Sequence, residues 1–264
     1  MKFNGPVKII ERKQLLQDIF QITVERPKMI NSILPGQFFN IVTTKTGYPL
    51  LRRPISVSGF CADTIEFTVK VLGAGTQSLS EYIVGDFIEI MGPLGNGFKQ
   101  GDERRVLMVG GGIGIAPLKG LIEHSMLEGI KTDVILGFRE APFLVEDFLA
   151  QTSSLTTVSE HDAAYRVGNV IQPFIEQLDT NIYDMIYACG PEVMLKALAT
   201  ICNERKLPIQ LLMEEKMACG IGACLVCTCK IKQGEFGFKH VRMCKEGPMF
   251  YGSEVIFDGN ETQC

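Results

Sequence analysis

The chain has 264 residues, 46% hydrophobic and 21% charged, with a formal net charge of −4. That length accommodates two compact domains plus a small appendage, and the composition excludes a disordered chain. Without a basic block, nucleic acid is excluded as an expected partner; without a signal-peptide core or an apolar run of spanning length, a cytoplasmic protein is expected.

Residues 1–100 read as β-rich. Val7–Glu11, Ile19–Glu25, Gln37–Thr43 and Thr64–Val71 are β-branched or aromatic runs between Pro and Gly turns. In the last of these Ile65, Phe67, Val69 and Val71 alternate onto one face. Short strands at this spacing predict a small antiparallel barrel. Leu51-Arg52-Arg53-Pro54-Ile55-Ser56 ends one predicted strand and begins the next. An arginine fork suits a diphosphate and a hydroxyl suits a flavin ring edge, although an Arg pair can equally be a solvated edge. Lys70-Val-Leu-Gly73-Ala-Gly75-Thr76 then leads into a short helix predicted at Gln77–Tyr82, and Gly92–Phe98 reads as a flexible loop.

After Gly101 the texture changes. Strands predicted at Arg105–Val109, Asp133–Gly137, Leu155–Val158, Met185–Ala188 and Ile209–Met213 alternate with helices at Ile115–Leu127, Phe143–Ala150, Asn169–Leu178 and Glu192–Arg205. This alternation over residues 101–213 predicts a doubly wound parallel sheet covered on both faces. Gly110, Gly111, Gly112 and Gly114, followed by Pro117, lie between the first parallel strand and its helix. The run departs from Gly-x-Gly-x-x-Gly, yet a glycine-rich turn before a helix N-terminus suits a pyrophosphate. Cys189-Gly190-Pro191 occupies a later strand-to-helix junction; alone it reads as a turn, and paired with the glycine run it becomes a wall for a nicotinamide. At Gly137-Phe138-Arg139-Glu140, where a ribose would be read, Arg139 favours a 2′-phosphate and Glu140 a 2′-hydroxyl.

Residues 214–264 carry Cys219-x4-Cys224-x2-Cys227 and, later, Cys244. This is the spacing of a plant-type [2Fe–2S] centre, in which one tight loop supplies three thiolates and a return strand the fourth. Gly220 and Gly222 permit the turns such a loop needs. A zinc site would show paired Cys-x2-Cys or mixed Cys and His, and His240 lies off that pattern. Of nine cysteines, Cys61, Cys189, Cys202 and Cys264 read as structural, and Cys229 as a packed neighbour of the cluster. His124, His161 and His240 read as ordinary residues, and no acid–base dyad stands out, so no catalytic residue is assigned.

Together, Arg53–Ser56, Gly111–Pro117 and Cys189–Pro191 resemble the ferredoxin–NADP⁺ reductase superfamily. The tail, Glu215–Cys224 with Met243–Phe250, resembles more narrowly the electron-transfer subunits of class 1B dihydroorotate dehydrogenase. The resemblance covers essentially the whole chain. It implies an FAD-binding barrel (1–100) with contacts at Arg53, Pro54, Ile55, Ser56, Thr68, Val69, Lys70, Gly75 and Thr76. It also implies an NAD-binding α/β domain (101–213) with contacts at Gly111, Gly112, Gly114, Pro117, Cys189, Gly190 and Pro191, and a [2Fe–2S] tail (214–264) ligated by Cys219, Cys224, Cys227 and Cys244.

The implied partner is an FMN-containing catalytic subunit, in a heterotetramer of two catalytic and two electron-transfer subunits serving pyrimidine biosynthesis. The interval from Cys227 to Cys244 is slightly long for the family and predicts a hairpin at Lys232–Gly237. Related subunits of hydrogenases and of ferredoxin:NADP⁺ oxidoreductases share the scaffold and form the alternative reading; the latter branch would have an acidic ligand in place of one cysteine. A self-contained reductase and a redox sensor are further rivals, distinguished by whether a partner and nicotinamide binding are needed.

Overall fold

The structure is a computed structural model, described here for residues 2–234 and 237–257. Cys264 and the turn residues Glu235 and Phe236 of the expected hairpin lie outside the described residues.

Six strands close an antiparallel barrel: β1 (Phe3–Leu16), β2 (Ile19–Glu25), β3 (Phe38–Ile41), β4 (Arg53–Phe60), β5 (Thr64–Lys70) and β6 (Phe87–Leu94), in the order β1-β2-β5-β4-β3-β6. Alternation puts Ile9, Phe20, Ile22, Phe39, Ile41 and Phe67 inside, where Phe39 and Phe67 meet edge-to-face at 5.6 Å. Three expectations are corrected. The short helix α1 spans Ala74–Ser80, beginning three residues before its predicted start. The Thr76 hydroxyl accepts from the Leu72 and Gly73 N–H groups, which folds Ala74–Thr76 into the first turn. The stretch from Gly92 is not a flexible loop either. Gly92–Leu94 complete β6, and Asn96 Nδ2 donates to Glu246 O (2.9 Å) and Met249 O (3.0 Å) while its Oδ1 accepts from Met249 N (2.9 Å). An amide bonded at both ends thus latches the tail onto the barrel. Leu51 and Arg52 also fall outside any strand, since β3 ends at Ile41.

The second sheet contains β7 (Arg105–Gly111), β8 (Lys131–Phe138), β9 (Ser154–Ser159), β10 (Arg166–Val167), β11 (Met185–Cys189) and β12 (Ile209–Leu212), all parallel. Helices α2 (Ile115–Leu127), α3 (Val145–Leu149), α4 (Ile171–Thr180) and α5 (Glu192–Arg205) connect them. The strand order is β10-β9-β8-β7-β11-β12-β15, where β15 (Met249–Tyr251) is a tail strand lying antiparallel to β12. Chain direction across the sheet therefore reverses between β7 and β11, the place where open α/β sheets bind ligands. In the tail, β13 (Thr228–Gln233) and β14 (Gly237–Arg242) form the expected hairpin.

A polar seam fixes the barrel to the second sheet. Lys119 of α2 reaches Glu66 of β5 (3.0 Å) and Glu123 (3.1 Å); Glu66 accepts from Ser58, which accepts from Thr68. Burial pulls the Lys119 pKa down, but the charges of Glu66 and Glu123 outweigh it and raise it overall. No helix among the described residues is long and apolar enough to cross a membrane.

Candidate functional site

Two adjoining cavities open where the barrel, the α/β sheet and the tail converge. The smaller, about 430 Å³, is lined by Arg53, Pro54, Ile55 and Ser56 of β4, Thr68, Val69 and Lys70 of β5, and Gly75 and Thr76 of α1. All nine positions expected to contact flavin thus share one wall, because β4 and β5 are adjacent antiparallel strands and α1 follows β5 directly. The Arg53 guanidinium packs on Gly75, whose absent Cβ would stand 2.6 Å from Arg53 Nε. Arg52 points elsewhere, toward Glu89 (3.4 Å), so the arginine pair does not act as one fork. The Thr68 hydroxyl serves the seam, donating to Ser58 Oγ at 3.0 Å. Pro117 closes the cavity from the first turn of α2.

The larger cleft, about 1260 Å³, is lined at the switch point by Gly111, Gly112, Gly114, Gly190 and Pro191. β7 runs two residues past its expected end, so Gly110 and Gly111 are strand and only Gly112–Gly114 form the turn. The glycine requirement is sharpest at Gly114, where a Cβ would lie 2.6 Å from Cys189 C and Gly190 N. Cys189 itself is buried in the core beneath the cleft floor, and burial pushes its thiol far up.

Lys70, Leu72, Ile113, Met213, Glu214 and Glu215 border both cavities. Lys70 is an expected flavin contact, Ile113 lies within the glycine run and Glu215 opens the tail motif, whereas Met213 and Glu214 carry no site signal in the sequence. Surrounding protein pushes the Glu214 carboxyl up although its side chain still faces the open cleft. The far wall of the larger cleft comes from the tail, including Cys229 and His240. His240 carries no signal in the sequence; its place in the cleft follows from β14 pairing it with Lys230. Arg139 lines the same cleft and lies 3.5 Å from Glu160, whereas Glu140 is outside the lining.

The cysteine loop lies beside the smaller cavity, which Met217 and Pro248 of the tail help to line. Cys227 and Cys244 are buried, Cys219 is partly buried and Cys224 is exposed. Burial would push the Cys219 thiol up, but N–H groups of Ile221, Cys224 and Ala223 and the Cys224 thiol outweigh it and hold it below the ordinary thiol value. Cys244 is shifted upward by burial and by the neighbouring Cys227. Among the described residues no three His, Cys, Asp or Glu side chains close on one point as a single ion would require. The donor set nevertheless fits a two-iron centre, which asks for two thiolates per iron, backbone N–H groups aimed at sulfur and positive φ at Gly220 (+69°) and Gly222 (+83°). Arg242 braces the loop by donating to Gly222 O at 2.9 Å and pairing with Glu246.

Residues 214–256 match the iron-sulfur cluster binding domain of dihydroorotate dehydrogenase B, and residues 108–200 match the oxidoreductase NAD-binding domain. The dihydroorotate dehydrogenase B (NAD(+)) electron transfer subunit of Caldanaerobacter subterraneus is 37% identical over 97% of this chain and 100% of its own length. The same subunit from Clostridium perfringens is 39% identical over 97% of this chain and 98% of its own. The chain belongs to the family of electron transfer subunits of dihydroorotate dehydrogenase B. Among solved structures, an NADH-dependent reduced ferredoxin-NADP oxidoreductase superposes with a TM-score of 0.83, at 26% identity, over 95% of this chain and 89% of that one. This chain is thus similar in fold to that enzyme over a barrel followed by an α/β domain.

Proposed function

We propose that this chain passes electrons from the FMN of a separate catalytic subunit, through a [2Fe–2S] centre and FAD, to NAD⁺ during pyrimidine biosynthesis in the cytoplasm. The observation that carries this reading is the shared border of the two cavities, with the cysteine loop beside the smaller one. FAD supplies the conversion between two-electron exchange with a nicotinamide and one-electron exchange with an iron–sulfur centre.

In this reading the chain's residues orient and enclose. Arg53 meets the flavin diphosphate, while Pro54, Ile55, Ser56, Val69 and Gly75 form the wall beside it. Thr68 and Lys70, paired with Gln21 and Ile19 of β2, continue that wall along β5, and Thr76 folds the turn that supports Arg53. Gly111, Gly112 and Gly114 let the dinucleotide approach the backbone, Gly190 and Pro191 face its nicotinamide end, Cys189 supports them from below, and Pro117 separates the sites. Glu160 neutralises Arg139 beside the ribose subsite, which favours NAD over NADP. Cys219, Cys224, Cys227 and Cys244 hold the cluster. The domains then divide as an FAD barrel over 1–100, an NAD domain over 101–213 and a cluster tail over 214–264. Chemistry on the dihydropyrimidine ring belongs to the partner, and two copies of each subunit assemble.

The test is anaerobic co-purification of the untagged chain with its bound proteins and chromophores. An FMN-bearing partner in equal amount, with flavin and iron–sulfur absorption bleached by dihydroorotate, is expected. A hydrogenase-type partner, or turnover of dihydroorotate by the isolated chain, would overturn the assignment.

A further inference from the structure

Asn40 sits on β3 with 0% exposure, and neither Nδ2 nor Oδ1 of its side chain has a hydrogen-bond partner. Leaving both ends of a buried amide unpaired forfeits its hydration without return, so native folds rarely retain such an arrangement without a use for it. Strand alternation explains where the amide points. Phe39 and Ile41 fill the barrel core, so Phe38 and Asn40 face outward. Outward here does not mean toward water. Phe38 lines the smaller cavity, and Asn40 abuts Gly220, immediately after Cys219. The approach is so close that a Cβ on Gly220 would stand 2.3 Å from Asn40 Nδ2; the left-handed φ of +69° and the absence of a side chain there are both required.

We propose that the Asn40 amide is a hydrogen-bond donor to sulfur of the iron–sulfur centre at the Cys219 end of the loop, and so raises the reduction potential of that centre. The inference rests on the reading that the four cysteines hold a [2Fe–2S] cluster. Its physical basis is charge. The reduced cluster is more negative than the oxidised one, and a fixed N–H donor on a buried side chain stabilises the more negative form. Asn40 also ties the cluster end of the molecule to the flavin wall, because it pairs across the sheet with Pro54 and shares an outer face with Phe38. The donor therefore sits on a hydrogen-bonded strand and not on a loop, which holds it in place through electron uptake.

The experiment is redox titration of the full chain, purified with its catalytic partner, followed by electron paramagnetic resonance and by iron and sulfide analysis. For Asn40→Leu the expected result is full cluster content and unchanged FAD potentials. The reduced-to-oxidised ratio of the cluster at the wild-type midpoint should fall about tenfold, a downward shift of about 59 mV for one electron. Asn40→Asp, which replaces the donor by a carboxylate, shifts further in the same direction. An unchanged cluster potential and spectrum in Asn40→Leu would overturn the inference. So would an equal shift of the FAD potentials, which marks a general structural effect. Should Asn40→Leu fail to assemble, reduced wild-type protein labelled with ¹⁵N in its asparagine side chains decides the matter. Pulsed resonance coupling of the cluster spin to ¹⁵N and to an exchangeable proton is expected, and its absence refutes the donor. Wild-type protein without a two-iron cluster would instead refute the underlying reading.

Discussion

Arg53, Ser56, Thr68 and Lys70 in the smaller cavity stand on β4 and β5, where ladder hydrogen bonds set every position before any ligand arrives. The cysteine loop has no such frame: residues 214–227 contain neither strand nor helix and are held by Arg242 and by a few N–H groups, while the Asn96 latch secures only Glu246 and Met249 beyond it. One site is a preformed cavity whose ligand adds stability by mass action; the other is a set of thiols whose geometry the metal must complete. Loss of a ligand should therefore leave the barrel folded and loosen the tail.

The largest expected effect breaks that comparison at its weaker side. Cys244→Ser removes a buried thiolate, and iron and sulfide analysis should show the cluster gone and dihydroorotate-dependent NAD⁺ reduction abolished. Reduction of the flavin by NADH should persist, since both cavities are formed without it. On the preformed side, Arg53→Ala removes one charge-assisted contact from an intact wall. FAD affinity, read by flavin fluorescence on dilution, should fall about 10–100-fold while circular dichroism stays unchanged.

Smaller effects sharpen how the seam positions the two halves. Lys119→Met leaves Glu66 facing a mostly buried space without its cation, and urea denaturation should report a loss of about 2 kcal/mol, partly recovered by adding Glu66→Gln. The raised Lys119 pKa contributes stability that is complete below its unfolded value of 10.5 and lost as pH rises through the folded value, so the wild-type advantage over Lys119→Met should fade in strong alkali. Smallest is Glu214→Gln. A carboxyl with a raised folded pKa destabilises the protein as pH climbs above 4.5, so the variant should melt slightly higher than wild type at neutral pH and equally in acid. A variant melting point below wild type at neutral pH would contradict the upward shift of the Glu214 carboxyl.

Much of the fold was legible because its signals are local. Alternation in Thr64–Val71, helical periodicity over Ile115–Leu127 and the alternating texture after Gly101 each depend on neighbours within a few residues, and the corresponding elements lie where expected. The misreadings have two causes, distant contacts and a local side-chain cap. Gly92–Phe98 looks flexible because it is rich in Gly and Pro, yet it is held by Asn96 bonding to Glu246 and Met249, residues far along the chain. Helix α1 starts early because the Thr76 side chain folds back on Leu72 and Gly73, a capping interaction that periodicity does not report. Residues 213–215 and His240 enter the cleft only through the docking of the tail.

By itself the sequence determined the chemistry on offer: four cysteines at cluster spacing, a glycine run before a helix, and an Arg-Pro-Ile-Ser start to a barrel strand. These are covalent facts, and spacing along a chain limits what such groups can reach. Only the tertiary structure decided which of them share a wall. The antiparallel pairing of β15 with β12 and the latch at Asn96 carry the tail back across the molecule, place Glu214 between two cavities and press Gly220 against the unpaired amide of Asn40. Contacts between residues so distant in sequence arise from hydrogen-bond pairing and burial summed over the whole chain, and no local pattern encodes them.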